Sequence, residues 1–178
     1  MLRPLFSSLL AIALALSSAA ALAADATAPE VVNPVGQWDG YEMIIQADVP
    51  LRGTLRQVFI DRASAAEARR SGELPYGTKI VMRDYIGVSD GKGGWKTENN
   101  RLVPGQPTVV LVQQKERGWG TTHPPEVRIG EWEFGLYTPA GQPIKADFEK
   151  ACMPCHKQVE ATDYNFVVTN FFADFVRR

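Results

Sequence analysis

Cysteine and histidine are scarce in this chain: two of each among 178 residues, beside four methionines. Each therefore needs an explanation of its own. Charge of one sign is also lacking, since 19 Lys and Arg stand against 20 Asp and Glu for a net charge of −1. Without a basic stripe there is no electrostatic footprint for nucleic acid or an anionic membrane. Beyond the first residues no apolar run approaches the roughly 20 residues that cross a bilayer, so no stable membrane insertion is expected. Internal repeats are absent as well.

The N-terminus reads as a targeting segment. Arg3 supplies a positive start, an apolar run broken only by Ser7 and Ser8 extends over residues 5–16, and Ala21-Leu22-Ala23 forms a small-residue cleavage signal. A signal peptide is expected over residues 1–23, followed by a single domain over residues 24–178 and a periplasmic location. Composition agrees with a globular domain: 45% of residues are hydrophobic and 22% charged.

Residues 41–47 and 55–61 carry the β-branched and aromatic content of strands, bounded by Pro50 and Gly53. Residues 63–70 predict a short helix stopped by Ser71-Gly72. In the strand expected over residues 78–88, Ile80, Met82, Ile86 and Val88 share one face, with Lys79, Arg83 and Tyr85 on the other. A glycine-rich loop or loose hairpin occupies residues 89–107, and further strands are expected over 108–115 and 131–138. The latter puts Trp132, Phe134 and Leu136 on one face and Glu131 and Glu133 on the other. From about Ala146 the pattern turns helical, and Tyr164, Val167, Val168, Phe171, Phe172 and Phe175 form an apolar stripe. The fold class is α+β: a domain rich in antiparallel sheet, with short helices and a C-terminal cysteine- and histidine-bearing motif plus helix.

The chemistry is carried by Cys152-Met153-Pro154-Cys155-His156. C-x-x-C-H is the pattern of covalent c-type haem attachment: two thiols on one turn reach the two vinyl groups, and the adjacent imidazole meets the iron. Cys152 and Cys155 would hold one covalent haem c, and His156 would be the metal ligand. A disulfide between thiols so close in sequence closes too small a loop to be a useful staple. A thioredoxin-like dithiol expects a βαβ context, which the element order lacks. A structural zinc site needs four ligands, and only His123 remains as a further nitrogen donor.

The sixth position on the iron stays open at this point. No methionine follows the motif, which leaves Met43, Met82 and His123 as the side chains able to reach it. His123 reads most simply as a solvated loop residue, and Met43 as a strand residue filling the core. An electron-transfer cytochrome would need one of the three as a strong ligand.

The chain resembles the cytochrome P-460 and cytochrome c′-beta family. The resemblance rests on Leu55-Arg56-Gln57-Val58-Phe59-Ile60-Asp61, on Ser71-Gly72-Glu73-Leu74-Pro75-Tyr76-Gly77-Thr78, and on Gly130-Glu131-Trp132-Glu133-Phe134. It ends with the late C-x-x-C-H followed by Asp163-Tyr164-Asn165-Phe166-Val167. It implies a β-rich homodimer whose haem keeps one face open to small molecules such as nitric oxide, carbon monoxide or hydroxylamine, with a redox partner protein where catalysis occurs. In the P-460 branch a strand lysine cross-links to the porphyrin edge and hydroxylamine is oxidised; the c′-beta branch binds gases. That lysine falls five residues past Gly77, where this chain has Met82. Arg56 matches an arginine that some members hold over the open side of the haem. The resemblance thus implies a periplasmic mono-haem cytochrome with an open distal site, binding nitric oxide or a related small nitrogen species. A hydroxylamine-oxidising or peroxidase-like haem oxidoreductase and an electron carrier are the alternatives.

Overall fold

The computed structural model describes residues 30–167. The expected signal segment and the apolar stripe beyond Val167 lie outside these residues. Within them the chain runs through β1 (Tyr41–Val49), β2 (Thr54–Asp61), α1 (Arg62–Ser71), β3 (Lys79–Gly87), β4 (Thr97–Glu98) and β5 (Arg101–Leu102). It continues with β6 (Pro104–Lys115), β7 (Trp132–Tyr137), α2 (Phe148–Ala151) and α3 (Met153–Lys157). Five strands form one antiparallel sheet in the order β1-β2-β3-β6-β7, and β4 and β5 form a separate hairpin. The architecture is α+β, as the alternation implied. Among the described residues no helix is long and apolar enough to cross a membrane.

Register decides what each face carries. Arg56 pairs with Asp84, Val58 with Met82 and Ile60 with Ile80. Ile80 and Met82 pair in turn with Gln113 and Leu111, and Gln113 with Phe134. Because side chains alternate along a strand, all of these project from one face. Val58, Ile60, Ile80, Trp132 and Phe134 are buried there against Ala65 and Ala68 of α1, Ile129 and Met153. The reverse face buries Val81, Val110 and Val112 with Tyr41, Tyr137 and Val31. The domain therefore has two apolar layers, and α1 and the C-x-x-C-H motif cover the first.

Three expectations need correction. β6 begins at Pro104, four residues earlier than the alternation suggested, because Pro104 and Pro107 sit where the β3–β6 register is irregular and a missing donor is tolerated. Ile86 keeps the face of Ile80 and Met82 but, near the end of β3, is 37% exposed rather than part of the apolar layer. Tyr164 is not part of a helical stripe: Asp163 and Tyr164 both have positive φ, 53° and 58°, and end the helical path.

Asp61 ties the two sides of this layer together. Its Oδ1 accepts from Ser64 N at 2.9 Å, capping α1, while its Oδ2 accepts from Lys79 N at 2.8 Å at the start of β3. The helix then stops at Gly72, whose φ of 83° favours glycine. Asp61→Ala removes both acceptors and is expected to lower unfolding stability by about 1–2 kcal/mol, read as a reduced urea midpoint. Asp61→Asn should recover only part of the loss, since its amide would set a donor against one of the two N–H groups.

Candidate functional site

Between the C-terminal segment and the first face of the sheet lies a cavity of about 440 Å³, a size suited to a cofactor. Cys152, Cys155 and His156 line one part of it, and Arg56, Val58, Ile80, Met82 and Leu111 line the strand side. The sequence-predicted residues Arg56, Met82, Cys152, Cys155 and His156 are thus brought to one place.

The C-x-x-C-H motif and the residues just before it fold as two short helices. α2 is capped by Asp147, whose carboxylate accepts from Lys150 N, and the helical path breaks at Cys152. Pro154 falls in the first turn of α3, where its missing N–H leaves no intrahelical bond unmade. Both thiols are free; Cys152 is half-buried and Cys155 exposed. Burial, with a smaller contribution from neighbouring Cys155, pushes the Cys152 thiol up. A nucleophilic redox dithiol needs the opposite shift.

His156 is the best-anchored residue of the site. Its Nδ1 donates to the Tyr164 carbonyl at 2.7 Å, and its ring lies edge-on between Phe134 and Phe166, each with a centroid separation of 5.0 Å. Bonding Nδ1–H to a carbonyl leaves Nε2 as the unprotonated nitrogen, the form that binds a metal. Burial holds its pKa below the ordinary histidine value, against the opposing pull of that carbonyl. The carbonyl is itself fixed. Gln113 Nε2 also donates to it at 3.3 Å, and buried Asn165 donates to Gln113 Oε1 at 2.8 Å. Lys115 Nζ pairs with Asp163 at 2.7 Å and donates to Leu74 O. An apolar wall, an imidazole with a free Nε2 and two unpaired thiols on one turn fit a covalently held haem.

On the strand side, Arg56 Nε and Nη2 each donate to Asp84 at 2.8 Å, a side-on two-bond pair. Met82 faces the cavity, while Lys79 lies on the reverse face with its Nζ on the Gly77 carbonyl. Of the other two side chains considered for the iron, neither lines the cavity. Met43 is 52% exposed beside an irregularity in the β1–β2 pairing, rather than a core residue. His123 is not a solvated loop residue either: its Nδ1 meets Glu149 at 2.8 Å and its Nε2 meets Glu133 at 2.9 Å. Glu133, expected on an outer face, is buried there and also accepts from Gly120 N. Glu131 accepts from Gly118 N at 2.7 Å and from the Tyr76 hydroxyl.

Reasoning from sequence missed Asp84, Gln113, Asn165 and the His123 clamp. Asp84 had a signal, since it lies two residues past Met82 and so shares its face. Gln113 and Asn165 had none, because their roles depend on contacts about 50 residues away in sequence.

A family model described as Cytochrome P460 matches residues 37–167. No curated protein matches the chain.

The His123 clamp generates a pH prediction. Burial alone would lower the His123 pKa, but the Glu149 and Glu133 carboxylates outweigh it and raise the group above its ordinary value. Stabilisation from this clamp is therefore complete below the unfolded value, about 6.5, and is lost as pH rises through the higher folded value. Urea midpoints should fall across that alkaline window in the wild type. The His123→Gln profile should be flatter over the same range, and parallel profiles would count against the clamp.

Proposed function

Because the chain belongs to the cytochrome P460 family of haem-binding cytochromes, we propose that it is an exported, periplasmic c-type cytochrome that binds nitric oxide or a related small nitrogen species. One covalent haem is held by Cys152 and Cys155, with His156 as the metal ligand. Cys152, Cys155 and His156 would hold the haem, and its iron would supply the binding of a small molecule. The mature protein would be the single domain over residues 24–178, working as a homodimer.

The observation that carries this reading is the shared cavity. His156, both thiols, Arg56 and Met82 line it, whereas Met43 and His123 do not. The chain's own residues have separable tasks. Phe134 and Phe166 steer the imidazole and exclude water from its edges. The Tyr164 carbonyl holds the proton at Nδ1. Val58, Ile80 and Leu111 supply an apolar wall, and Arg56 offers a donor to a ligand that gathers negative charge on its outer atom.

Gas binding is favoured over hydroxylamine oxidation by Met82. A thioether has no amine to cross-link a porphyrin edge, and Lys79 faces away. A second reading, an electron carrier, draws on the same residue: Met82 lines the cavity, and a thioether sulfur there could ligate a haem iron.

Carbon monoxide titration of the reduced, haem-loaded protein separates the two. A five-coordinate reduced spectrum that shifts on titration is expected. A six-coordinate low-spin spectrum indifferent to carbon monoxide would hand the function to the electron carrier. Attachment is checked by haem staining after denaturing electrophoresis, which the Cys152→Ala, Cys155→Ala double variant should abolish. Stoichiometric zinc in place of haem in the exported wild type would overturn the cofactor assignment.

The macrocycle should also be unmodified beyond its two thioethers. Intact mass is expected to equal chain plus haem, with an ordinary c-type reduced spectrum. A further loss of hydrogen, together with a haem-linked peptide containing Lys79, would contradict the Met82 argument.

A further inference from the structure

The cavity holds a charge arrangement that its haem-binding role does not require. Arg56 lies on the cavity wall, and one edge of its guanidinium is taken up by Asp84: Nε to Oδ1 and Nη2 to Oδ2, both 2.8 Å. The pair is cross-strand and in register, Arg56 on β2 opposite Asp84 on β3. It is also shielded, since the Asp84 side chain is 13% exposed and that of Arg56 33%. The Asp84 backbone is held independently of its carboxylate, because Thr108 Oγ1 donates to the Asp84 carbonyl. Arg52, the other cation on the cavity wall, is exposed and so screened by water.

A guanidinium alone at a partly buried wall would attract anions. With a carboxylate side-on against it, the long-range field largely cancels, while Nη1 stays outside the two bonds to Asp84 as a short-range donor. Field and hydrogen bond are thereby uncoupled: the first falls away slowly with distance, the second acts only on contact.

We propose that Asp84 is a specificity-determining residue, which keeps Arg56 as a hydrogen-bond donor but cancels its charge, so that the cavity admits small neutral molecules in preference to anions. The inference rests on the open-face haem reading above and narrows its substrate class to uncharged ligands. Discrimination arises by withholding attraction from the unwanted class as much as by contacting the wanted one.

The test compares azide binding to the ferric haem-loaded protein with carbon monoxide binding to the ferrous form. Azide is a small monoanion and carbon monoxide is neutral. Asp84→Asn should tighten azide binding by about tenfold, a modest figure because the Arg56 side chain is partly exposed. Carbon monoxide affinity should change by less than about twofold, since its binding senses little long-range field. Asp84→Ser is the second variant, because an asparagine amide can set its own donor against the guanidinium, whereas serine leaves room for water. Adding Arg56→Gln to either variant should return azide affinity to the wild-type value. Unchanged azide affinity in both single variants at normal haem content overturns the proposal, as does an equal change for both ligands. A haem-loaded wild type that ignores carbon monoxide removes the open-face reading and this inference together. Normal carbon monoxide binding with unaltered azide selectivity removes this inference alone.

Discussion

The hydrogen bond from His156 Nδ1 to the Tyr164 carbonyl is the contact on which the site depends. It fixes the tautomer and the rotation of the ring together, and so decides which nitrogen is presented to the cavity. Its acceptor lies in a stretch of backbone with two successive non-glycine residues at positive φ, a conformation that local energetics disfavours. Tertiary contacts hold it there. Lys115 draws in Asp163, and Gln113 with Asn165 grips the peptide next to it. Both Lys115 and Gln113 come from β6, a strand paired on both sides, so the least regular part of the fold is braced by one of the most regular.

The same logic explains the division of labour across the sheet. Alternation sends Val81, Val110 and Val112 into the reverse layer, where they are fully or almost fully buried. It sends Arg56, Met82 and Gln113 to the cavity face, where the polar groups meet partners. The reverse layer stabilises the sheet, which frees the cavity layer to carry polar groups. Glu133 sits between these demands: buried on β7, it is satisfied by Gly120 N and by His123, which in turn reaches α2 through Glu149.

Much of this was legible in the sequence because it follows local periods. The two-residue period of β3 placed Met82 on the cavity face and Lys79 on the other, and the helix over α1 was marked by its glycine stop. The C-x-x-C-H spacing marked Cys152, Cys155 and His156 as one unit without any knowledge of the fold. What was not legible depends on pairing between distant segments. Nothing local to Asp84 says that Arg56 lies opposite. Nothing near Gln113 says that a carbonyl some 50 residues later needs a donor. His123 looked like a loop residue because its two carboxylates are separated from it, and from each other, by loops. The early start of β6 was hidden by its prolines, which local rules assign to turns. The helical reading failed at Tyr164 because apolar spacing does not register a reversal of backbone handedness.

The eight-residue interval from His156 to Tyr164 has a consequence for how such a chain can vary in length. The 3-10 turn Glu160–Thr162 and the two left-handed residues after it take up the chain between ring and carbonyl. One inserted residue would carry the acceptor out of reach of Nδ1, and one deletion would pull Asp163 from Lys115. The turn of the β4–β5 hairpin stands in contrast: Arg101 and Leu102 tie β5 to Asp48, but Glu98, Asn99 and Asn100 are exposed, so the turn can lengthen or shorten without disturbing the cavity. Length polymorphism should therefore gather in that turn, while the stretch behind the C-x-x-C-H motif works as a ruler, tolerant of changed letters but not of a changed count.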